Sequence, residues 1–308
     1  LRIDVVGLTV SSKVRKQLQC VAKAGNGSYY DAKNAAQIES SLLKAVKRAA
    51  RPFSMRGTLI TGGSEGHPTK IVEGDWLDVL NPAVGHLYYS FSKKKGTTLR
   101  VAAVTQGQTS PSESILVQIF NERDELCSTG LAERQFDTRN VLSAGASTQS
   151  IGCDEAGDYV IKVGRSLISQ SNAQVGIRVV EEPVVEKMGA APSVTENSTP
   201  RTLDMAPVEI DAAESFTNAV SLTEGRWSGA LVPSEAPLFA IPLEYGQSAH
   251  ITVDFPSPRG ELKEIIGKVQ PIGVATMYDP MQAQIQQSED MRRSGRIFGE
   301  SFTVKAST

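Results

Sequence analysis

Cysteine is scarce: Cys20, Cys127 and Cys153 in 308 residues are too few for a disulfide framework and lack the paired spacing of a zinc site. No run of about 18 apolar residues occurs, which excludes a membrane-spanning helix. The opening LRIDVVGLTV has neither a basic n-region nor a cleavage site. Charge of one sign is not in excess either. Thirty-two basic residues face 34 acidic ones, a formal net charge of -2, so no global field draws the chain to nucleic acid or an anionic bilayer. Aromatics are few, at 6%, but with 40% hydrophobic residues the composition still suits soluble globular domains. The length allows two or three of them.

What is present is a duplication. EGDWLDVLNPAVGHLYYSFSKKKGTTLRVAAV at 73–104 returns as EGRWSGALVPSEAPLFAIPLEYGQSAHITVDF at 224–255. Glu73, Gly74 and Trp76 match Glu224, Gly225 and Trp227; Tyr89, Phe91, Gly96 and Val101 match Phe239, Ile241, Gly246 and Ile251 after the loss of one residue. Each copy reads as a Trp-bearing strand, a turn with Pro82 or Pro233, an alternating strand, a glycine turn and another alternating strand. A repeated β-meander identifies an architecture before it identifies a chemistry.

The expected organisation has four parts. Residues 1–51 begin with an apolar strand, Ile3 to Val10, short enough to be buried on both faces. A helix capped by Ser11 follows, with Val14, Leu18, Val21 and Ala22 at helical spacing and Gly25 at its end. After a short strand near Tyr29 comes a second helix that starts at Asn34 and Gln37 and carries Ile38, Leu42, Val46 and Ala49 on one face. The opening strand has no partner in its own neighbourhood, so the expectation is a chain that begins inside a domain. Residues 52–182 form a first β-sandwich, with 56–68 as a Gly, Ser and Thr connector and strands at 75–80, 86–92, 97–104, 114–121, 158–165 and 174–182. Residues 183–208 carry four prolines and read as a linker. Residues 209–308 form a second, incomplete sandwich: 272–280 corresponds to 115–123, counterparts of DYVIKV and QVGIRVV are missing, and SFTVKAST is one source of a substitute strand.

Two resemblances rest on these residues. LRIDVVGLTV followed by KQLQCVAKAGNGSYYDAKNAAQIESSLLKAV resembles the close of a von Willebrand factor type A domain over about residues 1 to 50. Members of that family are Rossmann-like and often carry a metal-ion-dependent adhesion site built on Asp-x-Ser-x-Ser. No such motif occurs here, so no residue of this chain is assigned to it, and the resemblance places any Mg²⁺ or Ca²⁺ upstream of residue 1. YYSFSKKKGTTLRVAAV and EAGDYVIKVGRSLISQSNAQVGIRVVEE resemble the opening and close of bacterial pre-peptidase C-terminal-type sandwiches, with Val175 or Ile177 where that family commonly has an aromatic. The implied fold is mixed: a partial Rossmann-like α/β segment plus two all-β, jelly-roll-like sandwiches.

Chemical motifs have bland readings beside the sharp ones. Gly62-Gly63-Ser64-Glu65-Gly66 matches the G-x-S-x-G elbow, yet Pro68 and the β-rich run after it leave no room for the required helix. His67, His86 and His250 lack ligand spacing and read as isolated surface histidines. Lys93-Lys94-Lys95 reads as solvated charge at a turn. Glu122, Asp124, Glu125 and Asp279 cluster at strand ends, as a calcium site or as surface turns. Trp76 and Trp227 read as core anchors ahead of sugar-binding platforms. Cys127, after one strand, and Cys153, before another, either stay buried thiols or close a bridge of about 25 residues worth roughly 3 to 4 kcal/mol. The bridge would leave Cys20 buried under the first helix or paired outside the chain, and would indicate an oxidising compartment.

What the two resemblances imply is a secreted or membrane-anchored bacterial protein, similar to actinobacterial-type proteins that place such sandwiches after an A domain. No catalytic residue, cofactor or metal ligand is expected within this chain. Its function is expected to be adhesion or protein binding through the A module on tandem sandwiches. The alternative is a carbohydrate-binding or secretion-assisting accessory region of a larger secreted hydrolase.

Overall fold

The computed structural model describes residues 3–25, 29–34, 37–38, 53–83, 85–106, 113–133, 141–149, 152–165, 172–184, 203–229, 236–244, 247–256, 272–273, 275–285, 296–297 and 301–307. These residues are mostly β, with one α-helix among the described elements. No described helix is long and apolar enough to cross a membrane.

One unit holds the first three elements: strand β1 (Val5–Leu8), helix α1 (Ser12–Ala24) and strand β2 (Tyr29–Ala32). Ser11 caps α1 by accepting the Val14 N–H on its Oγ (3.4 Å), and the Gly25 N–H closes the helix on the Val21 carbonyl (2.9 Å). The helix returns the chain so that β2 pairs in parallel with β1, Val5 opposite Tyr29 and Leu8 opposite Ala32. The opening strand therefore does have a partner nearby, against expectation. Its face is not fully covered: Leu8 is 46% exposed, and Val14 and Val21 on α1 are 40% and 49% exposed. One helix over two strands can shield only a single apolar stripe. Ala22 and Ala32 fill that contact, while Cys20 is exposed instead of buried, two residues and about 200° around the helix from Ala22. At the expected second helix, Gln37 Oε1 accepts the Lys33 N–H (2.7 Å) and Asn34 Oδ1 accepts the Gln37 N–H (3.0 Å), a capping-box-like start. Leu42, Val46 and Ala49 lie outside the described residues.

A second unit contains everything else described. Its first part is a two-sheet sandwich of β3 (Thr58–Leu59), β4 (Thr69–Lys70), β5 (Gly74–Leu80), β6 (His86–Lys93), β7 (Thr98–Gln106), β8 (Ser114–Phe120), β9 (Leu126–Glu133), β10 (Val141–Ser147), β11 (Gly157–Arg165) and β12 (Ala173–Glu182). One sheet runs β10-β7-β12-β5-β3 and the other β4-β6-β11-β8-β9. Alternation explains the layering. Tyr89 and Phe91 of β6, Ile115, Val117 and Ile119 of β8 and Tyr159, Ile161 and Val163 of β11 meet Leu99, Val101 and Ala103 of β7 and Val175, Ile177 and Val179 of β12 in one core. Each fully buried aliphatic or aromatic side chain contributes about 1.5–3 kcal/mol relative to exposure. The chain passes from one sheet to the other between β9 and β10, and there the backbones touch: a Cβ on Gly130 would sit 2.0 Å from the Gly145 carbonyl oxygen, so only glycine fits.

Two expectations about this region change. Residues 56–68 are not a free connector: Thr58 pairs in parallel with Trp76 and Gly63 bridges Tyr88, and just past the segment Thr69 pairs in parallel with Tyr89. Strands β9 and β10 were not among those expected; Cys127 follows β8 as expected, and it lies within β9.

The remaining strands are β13 (Val208–Glu209), β14 (Val220–Ser221), β15 (Trp227–Ser228), β16 (Phe239–Ala240), β17 (Ser248–Asp254), β18 (Ile272–Gly273), β19 (Arg296–Ile297) and β20 (Ser301–Ser307), with a 3-10 turn at Phe216–Asn218. The duplication is visible in their pairings. Val208 lies parallel to Trp227 as Thr58 lies parallel to Trp76, and Val220 to Phe239 as Thr69 to Tyr89. The bridge between Ala213 and Leu238 repeats that between Gly63 and Tyr88. The repeat thus extends upstream of Glu73 and Glu224, into residues expected to be connector and linker. Downstream, β17 pairs antiparallel with β20 as β7 does with β10, and β18 with β19 as β8 does with β9. SFTVKAS therefore occupies the place of β10. Among the described residues of 272–280, Ile272 and Gly273 are strand and 275–280 belong to no named strand. Linker residues 185–202 lie outside the described residues.

Candidate functional site

The second module is docked on the outer face of the first. Val104 on β7 and Val141 on β10 point away from the sandwich core and form a second cluster with Phe53 and Leu238, against which Met55, Phe216 and Tyr278 pack. Phe216 stacks edge-on to Phe53 (centroids 5.9 Å, planes at 85°) and to Tyr278 (4.9 Å, 82°), the geometry aromatic pairs prefer. The segment that expectation made a strand supplies the polar seal. The Tyr278 hydroxyl donates to the Val141 carbonyl (3.0 Å), the Gln284 N–H to the Ser143 carbonyl (3.1 Å), and Ser143 Oγ to the Gln282 carbonyl. Burial raises the Tyr278 phenol pKa well above its usual range, so it remains a donor. Asp279 Oδ1 holds the turn by accepting the Ala283 N–H (2.8 Å), and burial raises its carboxyl pKa too. Ala283 sits over Gly145, where a Cβ would come within 2.4 Å of the alanine methyl. A shallow cleft beside this contact is lined by Phe53, Arg56, Asp75, Arg178, Phe216 and Gln282.

Among the described residues of the first sandwich, four buried positions carry charged side chains: Asp78, Lys93, Glu113 and Arg165. Asp78 is 7% exposed and accepts on Oδ2 from the Tyr89 hydroxyl and the Gly62 N–H (both 2.6 Å). Burial and then the Asp78 carboxylate raise the Tyr89 pKa far above its usual range, so the phenol stays protonated. In the second module Gly229 and Phe239 take these places: donor and acceptor are absent together, as the cost of leaving one unpaired requires. Tyr89→Phe is expected to lower stability by about 1.5–3 kcal/mol, the range for a hydrogen bond to a charged group. Chemical denaturation showing a loss under about 0.5 kcal/mol, the scale of an ordinary surface change, would refute that role.

Lys93 is 3% exposed and not solvated charge at a turn. Its ammonium donates to the carbonyls of Lys94, Asp154 and Glu155 at 3.1–3.3 Å and lies 5.3 Å from the Tyr159 ring centroid. Burial lowers its pKa, with Asp154, Glu181 and Glu155 opposing. Lys94 and Lys95 are exposed as expected. Burial alone would raise the pKa of Glu181, but the Thr97 hydroxyl and the Lys94 N–H donate to it and hold it low. Glu113 and Arg165 complete the set as a buried ion pair.

The residues singled out in the sequence lie on separate elements. Trp76 is half-buried against the core and donates its indole N–H to the Val72 carbonyl (2.9 Å); Trp227 repeats the bond to Thr223 (3.3 Å) but is 38% exposed. Cys127 and Cys153 are joined by a disulfide. Ser64 and His67 face each other across a tight backbone turn that leads into β4 and not into a helix. His86 lies on β6 with its pKa lowered by burial and then by Lys162, and His250 lies on β17 opposite Lys305. Asn121, not the acidic residues, organises the turn before β9, accepting the N–H groups of Arg123 and Glu125. Among the described residues no group of three or more His, Cys, Asp or Glu stands close enough to hold a metal.

No family model matches this chain, and no curated protein matches it in sequence. Among the described residues, the two modules meet at a packed apolar junction, and the buried charged groups Asp78, Lys93, Glu113 and Arg165 are engaged in internal contacts.

Proposed function

We propose that this chain belongs to a non-enzymatic cell-envelope or surface protein in which a von Willebrand A-type module engages a protein partner and tandem pre-peptidase C-terminal-type sandwiches carry it. The observation that carries this reading is the first unit. A parallel β1-α1-β2 crossover whose residues Leu8, Val14 and Val21 are left exposed suits the closing portion of a larger Rossmann-like sheet, which needs cover on both faces. The stapled first sandwich supports an oxidising location, and the packed junction supports a spacer that transmits position rather than a flexible tether. Mg²⁺ or Ca²⁺, if used, belongs to A-module loops that this chain does not contain.

The test is thiol trapping in intact source cells. Blocking with a membrane-permeant maleimide before lysis, followed by reduction and a second label, should find Cys127 and Cys153 oxidised and the protein open to added protease. Reduced cysteines in a protease-resistant cytoplasmic pool would overturn the reading.

A further inference from the structure

The turn that docks the second module on the first has a counterpart in the first. Asp279 Oδ1 accepts the Ala283 N–H (2.8 Å), the Asp279 and Gln282 N–H groups donate to the carbonyls of Ala283 (2.9 Å) and Asp279 (2.8 Å), and Gln282 takes φ 70°. In the first module Asn121 Oδ1 accepts the Glu125 N–H (2.9 Å), the Asn121 and Asp124 N–H groups donate to the carbonyls of Glu125 and Asn121 (both 3.0 Å), and Asp124 takes φ 61°. The two turns are equivalent, so Tyr278, just before one, answers to Phe120, just before the other. Leu238 likewise answers to Tyr88, since Ala213 bridges Leu238 as Gly63 bridges Tyr88.

Tyr278 and Leu238 are seated on the first module. Phe120 and Tyr88 instead alternate with the buried Ile119, Leu87 and Tyr89, and so lie on the outer face of the sheet β4-β6-β11-β8-β9. Leu126, opposite Phe120 in the register, is 53% exposed, and Lys162, opposite Tyr88, holds its ammonium 5.8 Å from the tyrosine ring centroid. The receiving face is duplicated too. Val104 of β7 shares one cluster with Leu238, and Arg100 of β7 lies within electrostatic reach of Asp279. Counted from the matched pair Val101 and Ile251, their counterparts on β17 are Asp254, which is exposed, and His250.

The two remaining faces have thus changed together. Where the internal junction sets a leucine on a valine, they offer Tyr88 with Lys162 on one side and Asp254 on the other; where it sets the Asp279 turn beside Arg100, they offer a turn carrying Glu122 and Asp124, and His250. An apolar match has become a charged one.

We propose that these faces bind each other between two copies of this chain, the Tyr88, Phe120 and Leu126 face of one copy's first module docking on the outer face of β17 in the next copy's second module. The docking repeats the internal junction, with the Lys162 ammonium set against the Asp254 carboxylate and the acidic turn against His250. The two faces are unlike, so the contact is head-to-tail and continues from copy to copy. Charge complementarity fixes its register.

Sedimentation velocity on the whole chain over a concentration series tests this. The average mass should rise past that of a dimer and fall again when added salt screens the charges. Lys162→Glu and Asp254→Lys, each alone, should weaken association at least about tenfold by setting like charges against each other. Combined in one chain, they should restore it to within about threefold, as a coupled pair does. Leu126→Lys, at an exposed position, should weaken association without any change in the pair, and unchanged circular dichroism separates loss of contact from loss of fold. A chain that stays monomeric up to about 1 mM overturns the proposal. So does a plateau at the dimer, which identifies a like-with-like interface, or growth that the single variants leave unaltered, which identifies another surface. A double variant no better than either single one overturns it as well.

Discussion

Glu113→Ala is expected to lower the stability of the first sandwich by about 3–5 kcal/mol, the cost of stranding one member of a buried ion pair. Arg165 ends β11 in register with Ile115, and Glu113 stands one residue before β8, in phase with Ile115, Val117 and Ile119. Alternation therefore turns both side chains inward, where they are 0% and 5% exposed and paired. Burial alone lowers the Arg165 pKa, and without the carboxylate the guanidinium keeps the desolvation and loses the attraction that offsets it. The joint replacement Glu113→Leu with Arg165→Met should recover most of the loss, because removing both charges leaves neither unpaired. Urea titrations in a Trp227→Phe background, with Trp76 reporting on the core it packs against, measure both. Equal damage from the single and the joint variant would show that the pair contributes shape and not charge.

The same phase argument marks what could be read from the sequence. The alternation of Leu87, Tyr89 and Phe91 continues to Lys93, that of Tyr159, Ile161 and Val163 to Arg165, and that of Trp76 and Leu80 passes through Asp78. All three polar residues are buried, and following the period to its end would have found them; reading lysines as solvated by type hid Lys93. The three strands of 73–104 were legible because their side chains pack and so keep their pattern. They are not the expected meander, because β5 and β7 lie in one sheet and β6 in the other, and in the repeat Trp227, Phe239 and Ile241 are more exposed. The edges at Thr58–Leu59 and Val208–Glu209 were not legible, since two-residue strands are held by backbone bonds that constrain side chains little. β9 and β10 escaped for another reason. LCSTGLAE and VLSAGAS are rich in small residues because the two backbones come too close for larger ones, and small residues carry no hydrophobic period. The junction was hidden most fully, since Phe53, Phe216 and Tyr278 are far apart in sequence and each is a lone aromatic in irregular chain.

The disulfide gives the second large effect. Cys127 lies in β9 and Cys153 just before β11, 26 residues apart, with all of β10 between them. β9 and β11 belong to one sheet and β10 to the other, so the bridge closes the excursion by which the chain changes sheets. Both sulfurs are buried at the edge of the core. Opening the loop restores its freedom to the unfolded chain, and for a loop of this length the entropic model gives a loss of about 3 to 4 kcal/mol. Cys127→Ala with Cys153→Ala should show a loss of that size and should unfold the first sandwich at correspondingly lower denaturant. Cys20 is exposed on α1 and outside this loop, so Cys20→Ser should change stability by less than about 0.5 kcal/mol, as for other surface positions. The thiol count decides the premise. Denatured without reductant, the chain should titrate one free thiol, belonging to Cys20, and reduction should raise the count to three; three thiols before reduction would remove the bridge and the stability assigned to it.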